Sequence, residues 1–434
     1  MKLKKIMRVL VAGIITVNLI MAMVGCASKE SDATTGSGDT AQVGKETKEV
    51  EFWGTWSGEQ GKQLQQIVEM YNESQDEYTV KYVEQEGVED KLLTATASGQ
   101  VPDVVMWDRY QTSLYASRNV LHNMDNLIAR DNVDMAQFFD APVSEMSFNG
   151  SQYGIPSLVD VRVIFYNKAL FAEAGIQELP KTWDELAAVA ETLTKRGDNG
   201  ELQQSGFALS DVGLFNIYMM QSGGQLVNDD STATAFNSQQ GLDVLNFWNI
   251  LLNDKKVYDI GFGDGLDGFA DGTIAMKYDG PWSIANYHSV DGLDWGVMEP
   301  VTGKDGDKGA IAGGYGLVIP ESAKNVEGAW DFIKWCTTIP ENDIEFAKIS
   351  GWFPANREAC EDDYFTQDEI SSIFIKTMEY AVTRPTVAGY SQVEGLALTP
   401  QLQNFVVGTV SAEEALTAAE EEGNSILKEE AEDN

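Results

Sequence analysis

Trp282 follows Asp279 by three residues, with Gly280 and Pro281 between them, in the stretch FADGTIAMKYDGPWS (269–283). An indole face can cover the apolar carbons of a sugar ring while a nearby carboxylate accepts hydrogen bonds from its hydroxyls. That is the chemistry these two residues offer if the chain brings them to a crevice. Residues 273–278 form an apolar run bounded by Asp-Gly on both sides, the pattern of a buried strand ending in a sharp turn. Pro281 suits the first position of a helix, where its missing N–H costs nothing. Trp282 is therefore predicted at a strand-to-helix junction, where open α/β sheets form ligand crevices. The competing reading is that Trp282 is ordinary core.

The elements that must position it recur along the chain. Residues 50–53 read as a strand, followed by a helix whose apolar residues Leu64, Ile67, Val68 and Tyr71 recur at helical spacing. Residues 78–83 alternate as a second strand, 91–98 read as a helix and 101–107 as a third strand. This β-α-β-α-β order predicts parallel sheet with helices on its faces. The loop tips carrying Trp53, Trp56, Asp108 and Arg109 would then gather at one end of the sheet. Residues 158–166, LVDVRVIFY, read as one strand in which Asp160 and Arg162 share a solvated or cleft-facing side. Thr182 and Glu185 form a capping-box pattern ahead of the stripe Leu186, Val189, Ala190, Leu193. A second α/β region follows: a short strand at 205–210, helices at 214–221 and 242–252, then the opening stretch and a strand at 295–298. Glycines open a further strand at 313–319 that carries Tyr315, residues 329–337 read as an amphipathic helix, and Trp352 sits in an exposed-looking aromatic turn.

Composition narrows the functions. The chain has 434 residues, long enough for two or three domains. Its 30 basic against 68 acidic residues give −38, falling to −42 if the segment holding Lys2, Lys4, Lys5 and Arg8 is removed. Such a body repels nucleic acid, anionic lipid and polyanionic ligands, and favours neutral or cationic partners. The glycine-rich segment 261–272 matches neither an EF-hand loop nor a dinucleotide fingerprint, so no metal or cofactor is expected. Cys336 lies on the apolar face of a helical pattern and reads as a buried thiol, a disulfide to Cys360 being the lesser alternative.

At the N-terminus a basic stretch precedes a mostly apolar run over residues 9–24, too short for a membrane span and typical of an export signal. The run ends Met23-Val24-Gly25-Cys26, which resembles a bacterial lipobox with Met23 in place of the usual Leu; Cys26 is the expected lipidation site. Residues 27–49 have no aromatic residue and read as a flexible tether with a reach of roughly 25 Å.

Taken together, PDVV (102–105), FYNKALF (165–171) with TWDEL (182–186), AM (275–276) with GPW (280–282), AWDFI (329–333) and EEAL (413–416) resemble, in order, the carbohydrate-specific extracellular solute-binding proteins of ABC importers, the group that includes maltose-binding protein. The resemblance implies a type II periplasmic-binding-protein fold of two α/β lobes joined by three chain crossings: 49–157 with 309–356, and 158–308 with 357–434, after a signal peptide (1–25) and tether (26–48). It also implies a ligand gripped between the lobes and delivered to permease subunits in the membrane by a monomeric, lipid-anchored carrier on the outer face of the cell. In position Trp282 is similar to the family's sugar-stacking tryptophan, and Asp108 and Arg109 to its hydroxyl-binding pair. Trp53, Trp56, Tyr315 and Trp352 are aromatic candidates for the crevice; Asp160, Asp211, Asp279 and Gln392 are polar ones. The number of aromatic candidates favours an oligosaccharide.

Two other readings stay open. The acidic charge suits a binder of peptides or polyamines. A secreted glycoside hydrolase would need two carboxylates flanking one bond, but neither GxSxG nor HExxH occurs, and His122 and His288 are isolated.

Overall fold

A computed structural model describes residues 47–263 and 265–433; Cys26, the export segment and most of the tether lie outside them. Strands β1 (Lys48–Gly54), β2 (Tyr78–Glu84) and β3 (Val104–Asp108) run parallel, with Phe52 opposite Tyr82 on one side and Val104 on the other. The helix Gly58–Ser74 between the first two buries Leu64, Ile67, Val68 and Tyr71, the stripe expected from the spacing.

The chain then returns twice to this sheet. β4 (Gly154–Val161) is buried at every position. β5 (Val163–Asn167), β6 (Met276–Asp279) and β7 (Trp295–Met298) belong elsewhere, whereas β8 (Ala312–Val318) and β9 (Phe353–Pro354) rejoin β4. The result is a six-stranded sheet in the order β9-β4-β8-β3-β1-β2, mixed because β8 runs antiparallel to both neighbours. A separate three-stranded sheet has the order β6-β5-β7, both edges antiparallel to β5.

Two expectations are corrected here. The run LVDVRVIFY is not one strand: Leu158–Val161 pair with β8 and β9 in the large sheet, and Val163–Asn167 pair with β6 and β7 in the small one. The chain therefore passes between sheets at Arg162, four residues later than the boundary before Leu158. Residues 205–210 form no strand, only bridges from Ser205 to Ile274 and Ala208 to Lys277. The chain crosses back between Met298 and Ala312, and beyond β9 Phe374 packs on both Phe165 of β5 and Phe353 of β9.

Local signals act as expected at the helix starts. Thr182 Oγ1 accepts from the Glu185 N–H at 3.3 Å, while Glu185 reaches back to the N–H of Lys181 at 2.7 Å, one residue beyond the usual box partner. Cys336 and Cys360 are both buried and free, and burial pushes both thiols well above their ordinary range.

Candidate functional site

Pro281 opens the 3₁₀ turn Pro281–Ser283 directly after β6. A Cβ on Gly280 would fall 2.2 Å from the Trp282 ring, so only glycine lets the indole fold back over the turn. The ring ends up 37% exposed, an unusual amount for so large an apolar group. Its centroid is 5.5 Å from Trp352, and Trp352 in turn lies 5.4 Å from Tyr315 and 5.8 Å from Trp56. Trp56 and Tyr315 meet edge-on at 5.5 Å. Trp282 follows a strand of the small sheet, whereas Tyr315 lies in β8 of the large one, Trp56 follows its β1 and Trp352 precedes its β9. The four rings therefore join the two sheets.

Trp352 is buried, not exposed as its turn suggested, because the rings of Trp56, Tyr315 and Trp282 close over it. Its Nε1 is left without a hydrogen-bond partner. Trp56 is likewise buried, and its carbonyl accepts from the Tyr82 hydroxyl at 2.6 Å.

Two cavities adjoin this aromatic block. The larger, about 570 Å³, is walled by Trp282, Trp352, Phe353, Tyr364 and Phe365, with Gln63, His288 and Asp368 as polar edges. Gln63 Oε1 is buried without a partner, so this wall presents one unmet acceptor and, at Trp352, one unmet donor. The smaller, about 210 Å³, is polar: Asp160, Arg162, Asp211, Asn216, Arg384 and Glu394 line it. The Arg162 guanidinium lies 5.5 Å from the Trp282 ring centre and bonds Asp211 Oδ2 at 2.5 Å, so the residue at the sheet crossing also lies over the Trp282 ring.

Behind the small chamber the polar groups serve the scaffold. Arg109 is fully buried, and four of its N–H contacts are taken by protein: Nε to Glu145 at 3.2 Å, Nη1 to the carbonyls of Leu158 (2.6 Å) and Tyr315 (3.2 Å), and Nη2 to the carbonyl of Gly313. This corrects the expectation that Arg109 meets ligand hydroxyls; it ties β3 to β4 and β8. Asp108, opposite Tyr315 in the ladder, is half-buried and lines neither cavity. Burial raises its carboxyl to about 7 against the pull of Arg384 and Arg109. Burial likewise raises Glu145 and Asp160.

Three further candidates stand apart. Trp53 points the other way from Phe52, toward the helix Val88–Ser98, and donates to Glu51 at 2.5 Å. Asp279 is buried and committed to the Gly280 N–H (2.8 Å), the Tyr287 hydroxyl (3.1 Å) and Lys277 (2.8 Å), so it does not partner Trp282. Gln392 is half-buried in the turn Tyr390–Gln392 and lines neither cavity; Glu394, two residues on, lines the smaller one. Arg384, Glu394, Asn216 and Tyr364 carried no sequence signal, since nothing in their neighbours' spacing tells which side faces a cavity. Arg162 was visible only as a charge within an apolar run.

Residues 55–342 match the family model of bacterial extracellular solute-binding proteins. The chain belongs to this family. A maltooligosaccharide ABC transporter solute-binding lipoprotein of Streptococcus pneumoniae is 25% identical, with 96% of each chain aligned. An ABC transporter solute-binding protein of Thermotoga lettingae, solved with α-D-tagatose, superposes with a TM-score of 0.75 at 26% identity, over 88% of this chain and all of that one. The cyclic α-maltosyl-1,6-maltose binding protein of Arthrobacter globiformis gives 0.76 at 25%, with the same coverage. The fold is thus the two-lobed α/β architecture of type II sugar-binding proteins.

Proposed function

We propose that the chain is the substrate-binding lipoprotein of a carbohydrate ABC importer, holding an oligosaccharide between its lobes and passing it to membrane permease subunits. The observation that carries this is the half-exposed Trp282 ring, contributed by one lobe and set against Trp352 of the other beside a cavity of about 570 Å³. Flat rings from both lobes favour a ligand with two apolar faces and a polar rim, the geometry of a pyranose chain. The relatives named above, a maltooligosaccharide carrier and a cyclic maltooligosaccharide binder among them, support the same substrate class.

A ligand touching both lobes stabilises the closed form by its difference in affinity for the two states, which suffices to couple capture to closure. In this reading the protein acts as a monomer and performs no chemistry on its cargo, and Cys26 carries the lipid that keeps it at the outer face of the membrane. We place the lobe crossings at Arg162, between Met298 and Ala312, and after Pro354.

The test is a thermal-shift screen against linear oligosaccharides of varied linkage, followed by calorimetry on the hits. At least one glycan should raise the melting temperature, and Trp282→Ala should weaken it about tenfold or more while leaving the unliganded melting temperature within a few degrees. A panel with no shift at all, or a hit indifferent to Trp282, would defeat the reading.

A further inference from the structure

The small chamber holds a charge pattern that a neutral sugar does not answer. Asp160 is 7% exposed and lines the cavity, yet its Oδ1 has no hydrogen-bond partner. Among the described residues no basic side chain forms an ion pair with it. Gly313 of β8 faces it, and a Cβ there would fall 2.4 Å from Oδ1, so glycine leaves the carboxylate its room. Asn216, 3% exposed, adds a second unmet acceptor: its Nδ2 donates to Glu394 Oε1 at 3.0 Å, which fixes the amide and leaves Oδ1 unpartnered.

The two arginines that reach the chamber each face carboxylates, though only Arg162 makes an aligned hydrogen bond. Arg162 bonds Asp211, and Arg384 faces Glu394 Oε2 at 3.2 Å and Glu145 at 3.9 Å, both as ion pairs outside hydrogen-bond alignment. With the lining carboxyls ionised, three of them against two guanidiniums leave one negative charge over; Arg162, Arg109 and Arg384 all attract Asp160, but none reaches ion-pair distance, and burial still raises its carboxyl. The chamber is thus short of donors that reach Asp160 and Asn216, the unmet Arg384 Nε–H being directed at Glu394, and short of one positive charge. A hydroxyl brings only the first, and an uncompensated buried carboxylate is costly. An ammonium group brings both. A sulfate, phosphate or uronate would add to the surplus.

We propose, resting on the carbohydrate reading above, that this chamber takes a protonated amine of the cargo against Asp160 and Asn216, so that the sugar carried is an amino sugar with an unacetylated nitrogen. The remaining rings of the chain would lie along the aromatic wall of the larger cavity.

The experiment is calorimetry on the whole folded protein with sets matched in linkage and differing only at C2: glucosamine, N-acetylglucosamine and glucose as β-1,4 trimers, and the same three substituents on gluco- and galacto-monosaccharides. In at least one set the free amine should bind about tenfold tighter than its hydroxyl and acetamide counterparts. That preference should shrink when salt is raised from about 0.05 to 0.5 M, because salt screens the attraction between a cationic ligand and a body of charge −38. Asp160→Asn, nearly identical in shape, should remove the preference by weakening the amine ligand at least several-fold more than its hydroxyl counterpart. If that variant does not fold, the salt series on the unaltered protein decides. Hydroxyl or acetamide sugars binding as tightly as the amine in every set, or a preference insensitive to salt or surviving Asp160→Asn, would overturn the amine assignment alone. No binding by any sugar in these sets or in the wider screen would overturn the carbohydrate reading with it.

Discussion

Asp108 and Trp282 show how differently single residues disclose themselves. The Asp108 carboxyl, raised by burial from 3.8 to about 7, holds its proton more tightly in the folded chain than in the unfolded one. The folded state therefore binds the extra proton between these two values, and stability falls as pH rises from about 4 to about 7, then levels off. Asp108→Asn should flatten this slope and be the more stable protein at pH 8, as read from urea midpoints across pH 4–8. Glu145 and Asp160 are raised by burial too, so part of the slope should survive. A variant as pH-sensitive as the parent would show that Asp108 is solvated. Of the candidate site, the sequence picked out four rings that meet and a fifth, Trp53, that stands apart; Gly-Pro-Trp after a strand indicates where the indole goes, because glycine is what lets it fold back. The polar half was less legible. Asp279 and Arg109 have the right chemistry beside the right strands, but Tyr287 and Lys277 claim the first and the carbonyls of β4 and β8 the second. The claims on Arg109 come from strands distant in sequence, and those on Asp279 from Lys277 and Tyr287 nearby, whose side-chain directions local spacing does not register.

At the level of elements, the parallel β1-β2-β3 unit and its helix were readable because their periodicities differ and alternate along the chain. The break at Arg162 was not, since apolar residues flank it equally on both sides and nothing local says that the halves pair in different sheets. β8 is the element on which the large sheet and the polar cluster both depend. Gly314 there has φ +118°, and an added Cβ would lie 2.3 Å from the Leu158 carbonyl oxygen and 2.9 Å from Arg109 Nη1. The first neighbour is backbone of the adjoining strand and cannot give way cheaply. The second belongs to a buried ion pair whose disruption is expensive. Gly314→Ala should therefore cost at least about 2 kcal/mol in urea denaturation, whereas Gly395→Ala, with nothing within 4 Å of the added carbon, should cost little. Equal losses at the two positions would refute this account of β8.

For the whole molecule, charge and tether make one argument about where the body can stay. With 68 acidic against 30 basic residues it carries −38, and an anionic lipid surface repels it. No described helix is long and apolar enough to cross a membrane. The globular part begins at Lys48, and residues 27–47 lie between it and Cys26 in the sequence. Under this reading nothing in the folded body contributes to membrane retention, and retention and ligand capture are independent functions of the chain. Cys26→Ala should then appear in the medium when expressed in a host that lipidates such signals, with its affinity for the identified glycan unchanged, since no residue near the cavities is touched. Cell fractionation with calorimetry on the released protein checks both halves. A variant still held at the membrane, together with an unaltered protein that takes up no labelled fatty acid, would mean that the apolar segment at residues 9–24 is the anchor itself and would remove the lipid from the account while leaving the binding site intact.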